Sequence, residues 1–283
     1  MRKYKWELLV LLATIFFGIS YVFMNIIGNY LGPFSANFLK FFLAFIVLIP
    51  FLFKKDDTDT KSLLVGGFII SITTFIATYC QQAVANQVSS AKIGFITSMY
   101  IIFVPFLSFF INRNKPSRNT IIAIIIAVIG LYLLCGIGTL DINKYDFVVL
   151  IAALGFTFEI VFIDIFTKKV SPLKLTTAIL GFTALLDFLM MIKFEKPDFV
   201  SAMPVLPEIL FYSLFCTGFA TVAQTYGQQH TDATLASLIM SLESVVSAIA
   251  GYIILNQVLS IRELIGCVVM FIAIILSELP QKK

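Results

Sequence analysis

Apolar stretches about twenty residues long alternate with short polar connections along nearly the whole chain, and each is long enough to cross a hydrocarbon layer of about 30 Å. The pattern predicts helices over residues 6–28, 34–53, 62–83, 90–111, 117–136, 146–167, 173–192, 206–227, 233–255 and 261–278, ten in all. Lipid offers no partner to a free backbone N–H or C=O, so such runs must satisfy themselves as helices. The connections are polar and short, as in the segment Lys54 to Lys61, and none leaves room for a soluble domain. The first run is too long for a signal-peptide core and lacks a small-residue cleavage site, so it is expected to stay as a span.

Composition agrees with this reading. Hydrophobic residues make up 59% and charged residues 13% of 283, against roughly 45–50% and about 25% in soluble domains. The net charge of +4 is spread over short clusters between apolar runs, which gives no continuous basic face for nucleic acid. With the N-terminus inside, the cytoplasmic loops and termini hold fourteen Lys and Arg, among them Arg2, Lys3, Lys54, Arg113, Arg118, Lys168 and Lys283. The other side holds four: Lys144, Lys193, Lys196 and Arg262. Basic residues resist translocation, so an even number of spans in the cell membrane, with both termini cytoplasmic, is expected.

Signals for chemistry are sparse. Cys80, Cys135, Cys216 and Cys267 lie in or beside apolar runs and form no CxxC pair, so they read as small apolar residues. His230 is the single histidine and is expected to be solvated in a loop, which leaves no histidine-based metal site. No phosphate loop, HExxH or nucleophile elbow occurs; the chain is expected not to be an enzyme and to need no cofactor.

Self-similarity is more informative. Sliding the chain by 143 residues aligns 74–133 with 217–276 and matches Thr74 with Thr217, Thr78 with Thr221, Gln81 with Gln224, Ser98 with Ser241 and Ser117 with Ser260. A slightly different shift sets Pro33 against Pro172 and Gly18-Ile19-Ser20-Tyr21 against Gly155-Phe156-Thr157-Phe158. Each copy holds five spans, an odd number, so the second enters the membrane from the opposite side. The expected fold is all-α: ten transmembrane helices in two inverted five-helix repeats, residues 1–141 and 142–283, around a central cavity. Inverted repeats are an architecture of secondary transporters with a substrate site near the midplane.

The matched polar residues share a direction. Thr74, Thr78 and Gln81, like Thr217, Thr221 and Gln224, are spaced i, i+4, i+7 and fall on one stripe, which Gln228 extends. A polar stripe in a membrane helix faces protein or water. Two readings stay open, hydrogen-bonded glue between helices or the wall of a site. Of the ionisable residues within spans, Lys92, Asp164 and Asp187 lie near enough to span ends to reach headgroups or water. Lys40 lies about six residues in and either snorkels or serves as the ion-pair partner of an acid. Glu159 and Glu243 fall near the middle of their spans, too deep to snorkel. They either stay neutral and support packing or supply a proton-coupling carboxyl or an anionic contact for substrate. Tyr100 occupies the position that matches Glu243. Pro105, inside span four, is expected to bend its helix.

With these residues in view, Gln81 to Phe110 and Gln224 to Glu278 resemble the two halves of an EamA-domain protein of the drug/metabolite transporter superfamily. Phe17-Gly18-Ile19-Ser20-Tyr21 is similar to a stretch where that family usually carries Trp-Gly. The resemblance implies ten helices, a cavity lined mainly by spans 1, 3, 4, 6, 8 and 9, and transport of small metabolites, often amino-acid export. The sequence departs from it at Leu255-Asn256-Gln257, where Leu-Gly-Glu is common, and at Asn112-Arg113-Asn114, where the first-half acid is replaced.

The expected function is therefore a secondary active transporter of a small polar metabolite, an amino acid or related compound, in the export direction. The candidate substrate-binding residues are Ser20, Asn25, Thr74, Thr78, Gln81, Tyr100, Thr217, Thr221, Gln224 and Gln228, with Glu159 and Glu243 as coupling or substrate charge. Protons are the candidate coupling ion, and the other partners are the substrate and the lipid bilayer. The alternative on the same fold is an organic cation held by two carboxyls and aromatic rings; a non-transporting intramembrane enzyme or receptor is the remote one.

Overall fold

The computed structural model describes residues 4–54, 58–113, 116–134, 143–200, 202–255 and 260–277. Among these residues all regular structure is helical. Helices α1 (Lys5–Gly28), α2 (Pro33–Leu48, prolonged by a 3₁₀ turn Ile49–Phe53) and α3 (Thr60–Ala83) are followed by α4 (Ser90–Thr97), α5 (Tyr100–Asn112) and α6 (Arg118–Leu134). Then come α7 (Lys144–Phe166), α8 (Pro172–Phe194) and a composite rod. The rod consists of a 3₁₀ turn Met203–Val205, α9 (Leu206–Phe211), a π-helical stretch Tyr212–Phe219 and α10 (Ala220–Gln228). Helices α11 (Ala233–Met240), α12 (Glu243–Leu255) and α13 (Ile261–Ser277) complete the chain.

Eight of these rods, counting α4 with α5 and α11 with α12, are long and apolar enough to cross a membrane, while α6 and α13 are shorter apolar helices. The chain is a multi-pass membrane protein. Local chemistry sets the starts: Pro33 and Pro172 open α2 and α8, where a missing N–H costs nothing. Asp59 accepts from the Lys61 and Ser62 amides at α3, and Asn143 with Asp146 builds a capping box at α7. Outward faces carry large exposed apolar side chains such as Phe106, Ile125, Ile253 and Ile265, while Ser, Thr, Gln and the acids turn inward.

Span four is interrupted at Ser98-Met99, and Pro105 lies inside α5. Ser241-Leu242 interrupts the matching rod, so α4, α5 and α6 recur as α11, α12 and α13 at an offset of 143 residues at both ends of every helix. The matched serines meet, with the Ser98 hydroxyl 3.4 Å from the Ser241 carbonyl oxygen, and α6 packs against α13 through Ala123, Ala127, Leu131, Cys267, Met270 and Ala273. Two glycines allow the closest approaches beside the centre: Gly18 brings α1 onto α12 at Val246, and Gly155 brings α7 onto α3 at Ala77.

Candidate functional site

Where these helices converge they leave a cavity of about 80 Å³. Three charged side chains face it. Glu159 projects from the middle of α7, where the Thr74 hydroxyl of α3 donates to its Oε2 at 3.0 Å and Gln224 of α10 lies beside it. Glu243 is the first residue of α12, immediately after the Ser241-Leu242 interruption. The Ser98 hydroxyl reaches its Oε1 at 3.5 Å, and the phenols of Tyr21 and Tyr100 face it. Lys40 enters from α2, donating from Nζ to the Tyr212 hydroxyl at 3.1 Å with the ammonium over the Phe41 and Tyr212 rings at 4.8 and 5.0 Å. No carboxylate pairs with Lys40 within 4 Å among the described residues.

The aromatic wall depends on the π-helical stretch. One extra residue per turn places Tyr212, Cys216 and Thr217 on the cavity side, and the Thr217 hydroxyl returns to the Tyr212 carbonyl five residues back at 3.0 Å. π-Bulges of this kind concentrate at functional sites. Phe17, Phe41 and Phe156 add rings, and Met240 adds a polarizable thioether.

Most candidate residues come together. Ser20, Thr74, Thr78, Gln81, Tyr100, Thr217, Thr221, Gln224, Glu159, Glu243 and Lys40 all line this one cavity. Several hydroxyls are already committed: Ser20 donates to the Phe17 carbonyl at 2.6 Å and Thr78 to the Thr74 carbonyl at 2.8 Å. Gln81 donates to the Tyr21 hydroxyl and to Thr97, at 3.2 and 2.9 Å. Two candidates lie elsewhere. Asn25 donates to the Ala85 carbonyl at 2.8 Å, tying α1 to the turn after α3, because it is one turn too far along α1. Gln228 bridges the Gln224 amide and the Ile160 carbonyl, at 3.0 Å each, and so joins α10 to α7.

One expectation about the other polar residues needs correction. Asp187 does not reach the headgroups: it is 0% exposed between α8 and α2. Lys92 and Asp164 form ion pairs, with Asp146 at 2.9 Å and Lys168 at 3.1 Å. His230 is exposed, but its ring stacks on Trp6 with centroids 3.7 Å apart. The sequence reading passed over Tyr21 and Tyr212 as site residues. Tyr21 belongs to the repeated stretch Gly18-Ile19-Ser20-Tyr21, which was its signal; nothing in the apolar run around Tyr212 distinguishes it from the chain's other nine tyrosines. Cys135, Asn114, Asn256 and Gln257 lie outside the described residues, as do several basic residues used for the orientation.

The model of the EamA-like transporter family matches the chain twice, over residues 4–136 and 143–279. The chain belongs to the EamA-like transporter family. Its relatives within the family's reach include an uncharacterised transporter of Archaeoglobus fulgidus, 26% identical over 99% of this chain and 87% of that protein. The uncharacterised transporter YetK of Bacillus subtilis is 25% identical, covering 93% and 85%. A protein of Rickettsia prowazekii named as an S-adenosylmethionine uptake transporter is 23% identical, covering 98% and 92%. A solved crystal structure superposes with a TM-score of 0.73 at 15% identity, over 95% of this chain and 96% of that one, which shows a shared fold. As an EamA-like family member the protein is a membrane transporter, and the cavity just described is its candidate substrate site.

Proposed function

We propose that the protein is a secondary active transporter that carries a small zwitterionic metabolite, an amino acid or a relative of one, through the central cavity by alternating access. One observation carries this reading: a single buried cavity presents an ammonium, Lys40, and two carboxyls, Glu159 and Glu243, within aromatic walls. A substrate bearing both a carboxylate and an ammonium finds a partner for each, in a site dry enough to make both contacts matter. A quaternary cation would use the carboxyls and rings but would leave Lys40 as a like charge, so the cation reading is the weaker one.

The architecture supporting this is two five-helix units, residues 1–141 and 142–283, inverted with respect to each other, with ten spans and both termini on the cytoplasmic side of the cell membrane. The offset of 143 residues shared by the last three helices of each unit supports it, as does the contact between the matched serines Ser98 and Ser241. Equivalent residues touch where an axis relates their copies. Glu159 and Glu243 then serve as substrate contacts or proton-coupling groups, and the direction of net flux follows the imposed gradient. The relative named for S-adenosylmethionine uptake supplies a first probe, since that compound carries an amino-acid zwitterion.

The test is uptake into proteoliposomes of radiolabelled amino acids and S-adenosylmethionine, beside a quaternary amine such as choline. Zwitterion uptake driven by an imposed proton gradient, abolished in K40M and with altered pH dependence in E243Q, supports the proposal. Choline uptake that K40M improves would favour the cation reading, and uptake by E243Q indistinguishable from wild type between pH 5.5 and 8 would remove the coupling role of Glu243.

A further inference from the structure

The contact between α2 and α8 buries polar atoms that the cavity does not use. Asn37, Thr183 and Asp187 are each 0% exposed, and the Asn37 amide oxygen and nitrogen, the Thr183 hydroxyl and both Asp187 carboxyl oxygens lack any hydrogen-bond partner. Five orphaned polar atoms on one helix pair are exceptional, because native proteins pair nearly all buried polar groups. A buried carboxylate with neither cation nor donor is more costly still.

Their register shows what they surround. The Phe38 ring packs on Phe188 with centroids 5.2 Å apart, the Phe45 ring covers Gly181, and the Thr177 hydroxyl reaches the Leu48 carbonyl. In this antiparallel arrangement Asp187 lies opposite the turn Asn37–Lys40, with Thr183 one turn away on the same face of α8. Among the groups acting electrostatically on Lys40, Asp187 comes first and Glu159 second, followed by Cys216 of the π-helical stretch. Asp187 in turn feels Lys40 and, at the end of α8, Glu195. Lys40 is thus the cation that both acids face, and it is also part of the cavity wall.

We propose that Asn37, Thr183 and Asp187 form a second seat for the Lys40 ammonium, so that Lys40 moves its charge between the α2–α8 contact and the cavity. The ammonium has three donors and no acceptor, and the seat offers three acceptors to match: the Asp187 carboxylate, the Asn37 Oδ1 and the Thr183 hydroxyl. The lysine stem is long and flexible enough to swing about a fixed Cα. In one position the ammonium rests against Asp187; in the other it stands at Tyr212, as in the described structure, where a substrate carboxylate would hold it. Asp187 is in this scheme a positioning residue, acting on substrate through Lys40. The role in transport rests on the reading given above, but the seat itself can be tested without any substrate.

Purified full-length protein in detergent is compared by thermal unfolding as wild type, K40M, D187N and K40M/D187N. Each single variant strands one charge, and the midpoint is expected to fall by roughly 5 °C or more, while the double variant recovers most of the loss. Additive losses would overturn the proposal. If D187N alone fails to fold, a folded double variant supports the seat and an unfolded one refutes it. In proteoliposomes with radiolabelled S-adenosylmethionine or amino acids, D187N leaves Lys40 no second seat. KM is then expected to fall about threefold and kcat about tenfold together, whereas a fall in kcat with KM unchanged or raised would refute the swing. Absence of any flux in the wild type would count against the transporter reading and leave the unfolding cycle to decide on the seat.

Discussion

Replacing Gly18 by alanine tests whether helix contact at this point sets the geometry of the site. A Cβ added there would lie 2.4 Å from the Cβ and 2.7 Å from the Cγ1 of Val246, and 2.7 Å from the Glu243 carbonyl oxygen. Carbon atoms rest about 3.5–4.0 Å apart, so α1 and α12 would have to separate by about 1 Å, since neither a backbone oxygen nor a Cβ can rotate away. Overpacking of this kind costs about 1–3 kcal/mol, and the better helix propensity of alanine returns about 0.5–1 kcal/mol, leaving a net loss of up to about 2.5 kcal/mol. Gly94 is the internal control. Its added Cβ would sit 3.4 Å from the Ser244 Cα and from the Ser247 Cβ, an ordinary contact, so G94A is expected to be neutral or to gain up to about 1 kcal/mol. Thermal unfolding in detergent, followed by the fluorescence of the single tryptophan, Trp6, should rank G94A at or above wild type and G18A below both. Because Glu243 belongs to the turn that must move, transport by G18A should fall by more than its stability loss explains. Equal midpoints for the two variants would refute the packing argument.

Other outcomes follow from individual contacts. T74V keeps the shape of α3 but removes the donor to Glu159; unfolding should shift by only about 0.6 kcal/mol, while transport drops, and unchanged transport would show that Glu159 is positioned without Thr74. Q228L should lower stability by about 0.6–1.7 kcal/mol with KM unaltered, since Gln228 joins helices outside the cavity, whereas Q81L should raise KM; the reverse assignment in uptake kinetics would contradict the geometry. The Ser62 hydroxyl and amide hold the Asp59 carboxyl below its ordinary range. A carboxyl lowered in the folded state stabilises above its unfolded pKa of about 3.9 and loses that contribution as pH falls through the folded value. D59A should therefore unfold earlier than wild type at pH 7, with the gap closing in acid, and a gap independent of pH would rule out the cap as its cause.

The helices were legible because the membrane imposes one rule on every residue: apolar for about twenty positions, then polar. The lining of the cavity was legible for a related reason. Thr74, Thr78 and Gln81 could not face lipid, their spacing gave them a common side, and the same spacing recurred at Thr217, Thr221 and Gln224. Irregular backbone left no such mark. Nothing in the residues around Ser98 or Ser241 announces an interruption, and nothing in the composition of Tyr212–Phe219 announces the π-helical stretch, which packs against α1 and α2. Asn25 and Gln228 show the limit of a stripe argument, since a residue one turn beyond the cavity still needs a partner and finds a backbone carbonyl.

Asp187 shows a different limit. Position within a span measures depth along the membrane normal, and by that measure a carboxyl five residues from the expected end at 192 lies within reach of water. The helix runs on to Phe194, and Glu195 then accepts from the Phe34 and Ser35 amides at 2.9 and 2.8 Å, pinning the start of α2 against the end of α8. That latch extends the packed pair beyond the level of Asp187. The side chain is consequently shielded sideways by α2 although it is shallow in the sequence. The cost of a buried charge depends on the nearest water in any direction. The acids to examine in such a chain therefore include those whose span ends are clamped by a neighbouring helix as well as those at mid-span, and Lys40, facing Asp187 on one side and Glu159 on the other, connects the two kinds.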